Sequence, residues 1–235
     1  MTLDGIEGRV AFVTGGARGI GRAIAETLRD YGARVADGDL AAPEIEGVLG
    51  VDLDVTSAES VDAAFARVEQ ELGNVELLVL NAGIFIVEPF EQTTIESWQR
   101  TLDVNLTGVF LCARRALPAM RAAGFGRLVA IGSSAGKTGG KRNAAAYGAS
   151  KAGVMVLTKA LASEYAAHGI TANALAPALI DTEMNAGLPD LTSQIPVGRM
   201  GTAEEVAAVV AFLCSTQAAF ITGEVVDVNG GFLID

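Results

Sequence analysis

The chain has 235 residues, half of them hydrophobic, and a formal net charge of −11. So acidic a surface repels phosphate backbones and anionic lipid, which argues against nucleic-acid or membrane partners. No apolar run approaches the roughly 20 residues of a membrane span, and "MTLDGIEGR" at the start lacks a cationic stretch followed by an apolar one, so the expected setting is cytoplasmic.

Short apolar runs alternate with longer helical patterns along the whole chain. Strands are expected at 9–14, 33–37, 48–53, 75–80, 127–132, 171–176 and 224–229. Their apolar runs are continuous, as in strands covered on both faces of a parallel sheet. Helices are expected at 19–30, 57–72, 95–122, 144–167 and 202–215. Two open with capping-box spacing, Thr56 with Glu59 and Thr202 with Glu205, where a hydroxyl and a carboxylate satisfy free amides. The stretch 95–122 is too long for one uninterrupted helix, and Gly108 or Asn105 marks a bend. No linker or low-complexity segment divides the chain, so 1–235 reads as one α/β domain, a Rossmann-type doubly wound fold with a seven-stranded parallel sheet. Cys112 and Cys214 lie in apolar helical stretches without metal-ligand spacing and read as buried reduced thiols. His168, the only histidine, precedes Gly169 at a helix end and reads as a cap on the carbonyl dipole. No metal is expected.

Directly after the first strand comes "TGGARGIG", 14–21. A strand entering a glycine-rich turn and then a helix brings backbone amides up to a pyrophosphate. Gly15, Gly19 and Gly21 are spaced by four and two rather than as G-x-G-x-x-G. Asp39 follows eighteen residues beyond Gly21, about where an acidic residue binds adenosine ribose hydroxyls. A carboxylate accepts from a 2′-hydroxyl and repels a 2′-phosphate, so NAD is expected over NADP; Arg18, beside the turn, pulls the other way. Asp37, two residues before Asp39 on the same strand face, is a competing carboxylate.

"AAAYGASKAG", 144–153, sets Tyr147 and Lys151 four apart among small residues. Helical positions at that spacing share a face. An ammonium about 4 Å from the phenol is worth roughly 4 kcal/mol at an effective dielectric of 20, or about three pKa units. Tyr147 is then expected to act as general base toward an alcohol or general acid toward a ketone.

Together with "DVT" (54–56), "NAG" (81–83), "VN" (104–105), "IGSS" (131–134), "APALIDT" (176–182) and "VDVNGG" (226–231), these stretches make the chain resemble the short-chain dehydrogenase/reductase family over essentially its full length. The resemblance implies direct hydride transfer between a secondary alcohol or ketone and a nicotinamide. It implies a cofactor cleft lined by Gly15, Arg18, Gly19, Ile20, Gly21, Asp39, Asp54, Val55, Asn81, Ala82, Gly83, Tyr147, Lys151, Pro177, Ile180 and Thr182. Asp54 would hold the adenine, Lys151 the nicotinamide ribose, and Ile180 and Thr182 the carboxamide. Asn105 would bend its helix and hold a water leading from Lys151 to solvent. The substrate hydroxyl would be Ser133, fourteen residues before Tyr147, with Ser134, thirteen before, as the competing choice. Leu80 and Ala178 depart from the family pattern, which more often has Asn and Gly there.

The segment 183–195, with Met184, Leu188, Leu191 and Ile195, would form a flap; with Ile84, Phe85 and Ile86 it suggests an apolar secondary alcohol or ketone. The alternative is a 3-oxoacyl thioester reductase (carrier protein or CoA). Gly124 and His168 stand where such reductases tend to carry cations, although Arg114, Arg115, Arg121 and Arg127 would offer a basic patch to an acidic carrier. A nucleotide sensor without chemistry is the third reading, disfavoured by the Ser133, Tyr147 and Lys151 set. The long helices carry apolar surface beyond what the sheet needs, and the family packs these against a partner, so a homotetramer is expected, otherwise a homodimer.

Overall fold

The computed structural model describes residues 3–140, 143–185 and 192–234. Seven strands form one parallel sheet in the order β3-β2-β1-β4-β5-β6-β7: β1 (Val10–Thr14), β2 (Arg34–Asp39), β3 (Val48–Asp52), β4 (Leu77–Leu80), β5 (Gly126–Ile131), β6 (Ile170–Pro177) and β7 (Val225–Val228). All seven expected strands are present. The second runs two residues past its expected end, so that Asp39 closes it.

The helices are α1 (Gly19–Asp30), α2 (Ala58–Glu71), α3 (Ile95–Leu102), α4 (Gly108–Ala123), α5 (Ser134–Thr138), α6 (Ala145–Tyr165) and α7 (Ala203–Cys214). They cover both faces, as the continuous apolar strands require. One core joins Phe12, Leu78 and Leu128 to α2, α4 and α6. The other joins Ala11, Val13 and Leu175 to α1 and α7. Phe12 and Phe65, both fully buried, meet edge to face with centroids 5.0 Å apart. Among the described residues no helix is long and apolar enough to cross a membrane.

The expected bend in 95–122 is a wide π-type turn, Asp103–Thr107, with Asn105 at its centre between α3 and α4. Thr202 and Glu205 form the expected capping box on α7. The expectation at Thr56 is corrected. Asp54 Oδ1 takes both the amide and the hydroxyl of Thr56 at 2.9 and 2.7 Å, leaving Ser57 to cap α2 by accepting from the Ser60 amide. The basic patch is also absent as drawn. Arg115 forks onto Glu69 at 2.8 and 2.7 Å, and Arg127 is buried, donating to the carbonyls of Gly126 and Gly169. His168 ends a short 3-10 turn with Gly169 in the left-handed conformation after it. Cys112 and Cys214 are buried free thiols, both pushed up to about 12 by burial.

Candidate active site

The strand order reverses between β1 and β4, the position where parallel α/β sheets open a crevice at their carboxyl edge. A cavity of about 1160 Å³ lies there. Its first wall is the β1–α1 turn with Gly15, Arg18, Gly19, Ile20 and Gly21. This turn is clasped to the end of β4. The Asn81 side-chain amide donates to the carbonyls of Thr14 and Gly15 at 3.1 and 2.8 Å, while Thr14 Oγ1 accepts from the Asn81 and Ala82 amides. A Cβ on Gly15 would stand 2.7 Å from Ala82 Cα, and one on Gly21 would stand 2.2 Å from the Gly15 carbonyl. Glycine at these two positions is what permits the clasp.

Asp39 lines the cavity at the end of β2. Its carboxylate accepts from the Ala17 amide at 3.2 Å and the Leu40 amide at 2.8 Å. Arg18 reaches across to Glu183 at 2.8 Å. Asp54 and Val55 line the same end, and the Thr56 hydrogen bonds hold the Asp54 carboxyl below its usual range. Ala82 and Gly83 form the floor, and Pro177, Ile180 and Thr182 the far wall. A Cβ on Gly19 would lie 3.6 Å from Thr182, so the two walls approach closely there. A glycine-lined cradle opening into the α1 N-terminus and a carboxylate at the β2 end fit a nicotinamide dinucleotide, with every residue of the expected cleft on the cavity wall.

Ser133, Tyr147 and Lys151 line the other end. Ser133 precedes α5, where its hydroxyl accepts from the Ala135 amide, and it hydrogen-bonds the Tyr147 phenol. Ser134 begins the helix instead, its carbonyl accepting from Thr138, so the structure pairs Ser133 with Tyr147. Lys151 is buried. Its ammonium donates to the Ile131 carbonyl at 2.6 Å and lies 5.8 Å from the Tyr147 ring centroid. Burial lowers its pKa to about 8.

The expected depression of the tyrosine is corrected here. Burial holds the Tyr147 hydroxyl above its usual range, and the Ser133 hydrogen bond offsets this only in part. The ammonium sits on the ring side and is committed to a backbone carbonyl, so the protein's own groups keep the phenol protonated.

Asn105 lies behind the cavity rather than on it, fully buried. Its Oδ1 accepts from the Ile84 amide at 2.8 Å, and its Nδ2 donates to the Ile84 carbonyl and to Ser150 Oγ, each at 3.0 Å. Ser150 in turn donates to the Tyr147 carbonyl at 2.7 Å. One amide therefore joins the loop after β4 to the helix of the tyrosine. Three contributors went unread in the sequence: Thr14, Ser150 and Asp37 as a buried group; Phe85, expected on the substrate side, meets the Tyr147 ring edge-on at 4.7 Å. Only "NAG" followed by apolar residues gave a signal for Phe85. Of the expected flap, Met184 lines the cavity, Leu188 and Leu191 lie outside the described residues, and Ile195 is buried in the body of the fold. Ile84 and Phe85 line the cavity, but Ile86 does not.

A nucleotide-binding turn, a carboxyl-edge crevice and a hydroxyl–phenol–ammonium row define an oxidoreductase of the Rossmann type. The family model described as enoyl-(acyl carrier protein) reductase matches residues 15–233. The chain is 42% identical over 238 residues to the 3-oxoacyl-(acyl-carrier-protein) reductase FabG of Escherichia coli (strain K12), covering 96% of this chain and 97% of that one. It is also 42% identical over 243 residues to the 3-oxoacyl-(acyl-carrier-protein) reductase MabA of Mycobacterium tuberculosis (strain ATCC 25618 / H37Rv), covering 98% of each. The ligand-free aldohexose dehydrogenase of Thermoplasma acidophilum superposes with a TM-score of 0.92 at 34% identity, over 98% of this chain and 96% of that one. The chain belongs to the short-chain dehydrogenase/reductase family and is an oxidoreductase acting on CH–OH groups.

Proposed function

We propose that this enzyme reduces the ketone of a 3-oxoacyl thioester to the 3-hydroxyacyl thioester, with NADH as its reductant. Two relatives at 42% identity carry the name of 3-oxoacyl reductases, and this favours the thioester over the general secondary alcohol. The observation that carries the reading is that likeness over nearly the whole chain; burial holds the Tyr147 hydroxyl above its usual range, so the phenol is available as a proton donor to the ketone.

A bound reduced nicotinamide supplies hydride to the carbonyl carbon. As the carbonyl oxygen gains charge, the Tyr147 hydroxyl donates its proton to it, and Ser133, hydrogen-bonded to that phenol, donates to the same oxygen. The Lys151 ammonium, held on the sheet by the Ile131 carbonyl, stabilises the phenolate left behind. Asn105, through Ser150, fixes the helix turn that carries the phenol.

The NADH preference rests on Asp39, which lines the β2 end of the cavity, and on Arg18, whose charge is turned to Glu183 rather than left for a 2′-phosphate. For the acyl carrier, the overall charge of −11, with Gly124 and His168 in place of cations, repels an acidic carrier protein more strongly than coenzyme A, which is anionic through its phosphates alone.

Nicotinamide absorbance with acetoacetyl-CoA, acetoacetyl-carrier protein and an aldohexose panel, each with NADH and NADPH, tests this. The expected result is fastest turnover with acetoacetyl-CoA and NADH, lost in Tyr147→Phe. Turnover confined to aldohexoses overturns the thioester, and a clear NADPH preference overturns the cofactor assignment.

A further inference from the structure

The proposed function uses neither Asp37 nor Gly16. Asp37 lies on β2, in register with Val13 of β1 and Gly50 of β3. It is fully buried, and neither carboxyl oxygen has a hydrogen-bond partner of normal geometry, the Gly16 amide being the one group close enough to act as a donor. A Cβ built on Gly16 would stand 1.8 Å from Asp37 Oδ2 and 2.1 Å from Oδ1. The carboxyl therefore occupies the space directly behind the glycine-rich turn, where a side chain at position 16 would be. A neighbouring strand position in a fold of this kind is normally filled by an apolar residue, because an unpaired buried charge is costly.

We propose that Asp37 is a proton-coupled positioning residue of the dinucleotide turn: in its neutral form it packs behind Gly16 and leaves the turn amides free for the anionic dinucleotide, and on ionisation it opposes that binding. The inference rests on the dinucleotide reading above.

The electrostatic setting supports it. Burial is the main influence and Asp39 the second, both favouring the neutral carboxyl, while the Gly16 amide favours the ionised form only weakly; the carboxyl is raised to about 7. The cations nearest in sequence on the facing turn and helix are engaged elsewhere, Arg18 with Glu183 and Arg22 with Glu26. On β3, Asp52 accepts from the Ala42 amide. A pyrophosphate in front of the turn adds negative charge opposite the carboxyl, so its binding draws a proton onto Asp37.

The sign follows from linkage. The folded protein holds a proton on Asp37 that the unfolded chain, titrating in the usual carboxylate range, has released. Stability from this group is therefore present at low pH and falls as pH rises toward about 7. Dinucleotide affinity is level below that region, where the free protein already holds the proton, and falls from about 7 upward, where the complex must take up a proton.

The test is isothermal calorimetry of NADH binding from pH 6 to 8.5, in buffers of differing ionisation enthalpy, on the wild type and on Asp37→Asn, together with melting temperature against pH without ligand. The wild type is expected to take up a fraction of a proton on binding near neutrality and to lose affinity severalfold across the range. Asp37→Asn should lose the uptake, flatten the affinity profile and melt higher than the wild type at pH 8 than at pH 5. Lys151, lowered to about 8, titrates in both proteins and cancels in the comparison. Should Asp37→Asn fail to fold, Asp37→Val and the wild-type proton uptake serve in its place. Binding with no proton uptake in the wild type, or profiles that coincide, overturns the role of Asp37 alone. Failure of NADH and NADPH to bind at any pH overturns it together with the dinucleotide reading.

Discussion

Lys151 and Tyr147 are poised in opposite senses, and burial causes both. The ammonium is brought down to about 8, so the fold disfavours its charge at neutral pH, and that penalty is relieved as pH rises from 8 toward the ordinary lysine range. Lowering the ammonium from the ordinary lysine range to about 8 corresponds to about 3 kcal/mol, offset by about 1–2 kcal/mol for the hydrogen bond to the Ile131 carbonyl. Lys151→Met should therefore gain about 1–2 kcal/mol at pH 7, with the gain shrinking toward pH 10 in denaturant melts, while turnover is lost. Tyr147→Phe should keep the fold and bind NADH within a few-fold of the wild type, with kcat lower by about 10²–10⁴. Ser133→Ala should cost most of the turnover and Ser134→Ala little; the reverse pattern in steady-state kinetics would move the role to Ser134. The Tyr–Lys spacing was legible because helical periodicity is local. The direction of the tyrosine shift was not, because it depends on burial and on which acceptor the ammonium reaches, and Ile131 is twenty residues away in sequence.

At the scale of elements, the joints at the β1 and β4 ends organise the cleft. Asn105→Ala strands the Ile84 amide and carbonyl and should lower stability by about 2–4 kcal/mol, read as a shift of the urea midpoint. Strands were legible because a sheet buried on both faces demands unbroken apolar runs, and the bend because 95–122 exceeds an ordinary helix. The cap of α2 was not. Thr56 and Ser57 are adjacent hydroxyls, and only the position of Asp54, which captures Thr56, decides which one faces the helix. Asp37 and Asp39 presented the same ambiguity. Both lie on one strand face, and the sharp turn at Gly16 covers one while the strand end leaves the other in the cavity.

For the whole molecule, the surface carries the remaining expectations. Phe110 on α4 and Val156 on α6 are 45% and 66% exposed, an apolar display of the kind that the homotetramer expected from the sequence would cover. Light scattering should give four copies, and Val156→Asp should reduce the assembly; a wild-type monomer would refute it. The acidic balance, legible from composition alone, bears on the choice of acyl carrier.

The bridge from Arg18 to Glu183 spans the two rims of the cavity with both side chains in water, 75% and 71% exposed. Ions in solution compete with such a contact, and exposed pairs are worth at most about 1 kcal/mol. Raising potassium chloride should therefore hasten coenzyme dissociation, by a factor no greater than about five, and Glu183→Gln should make the exit rate indifferent to salt.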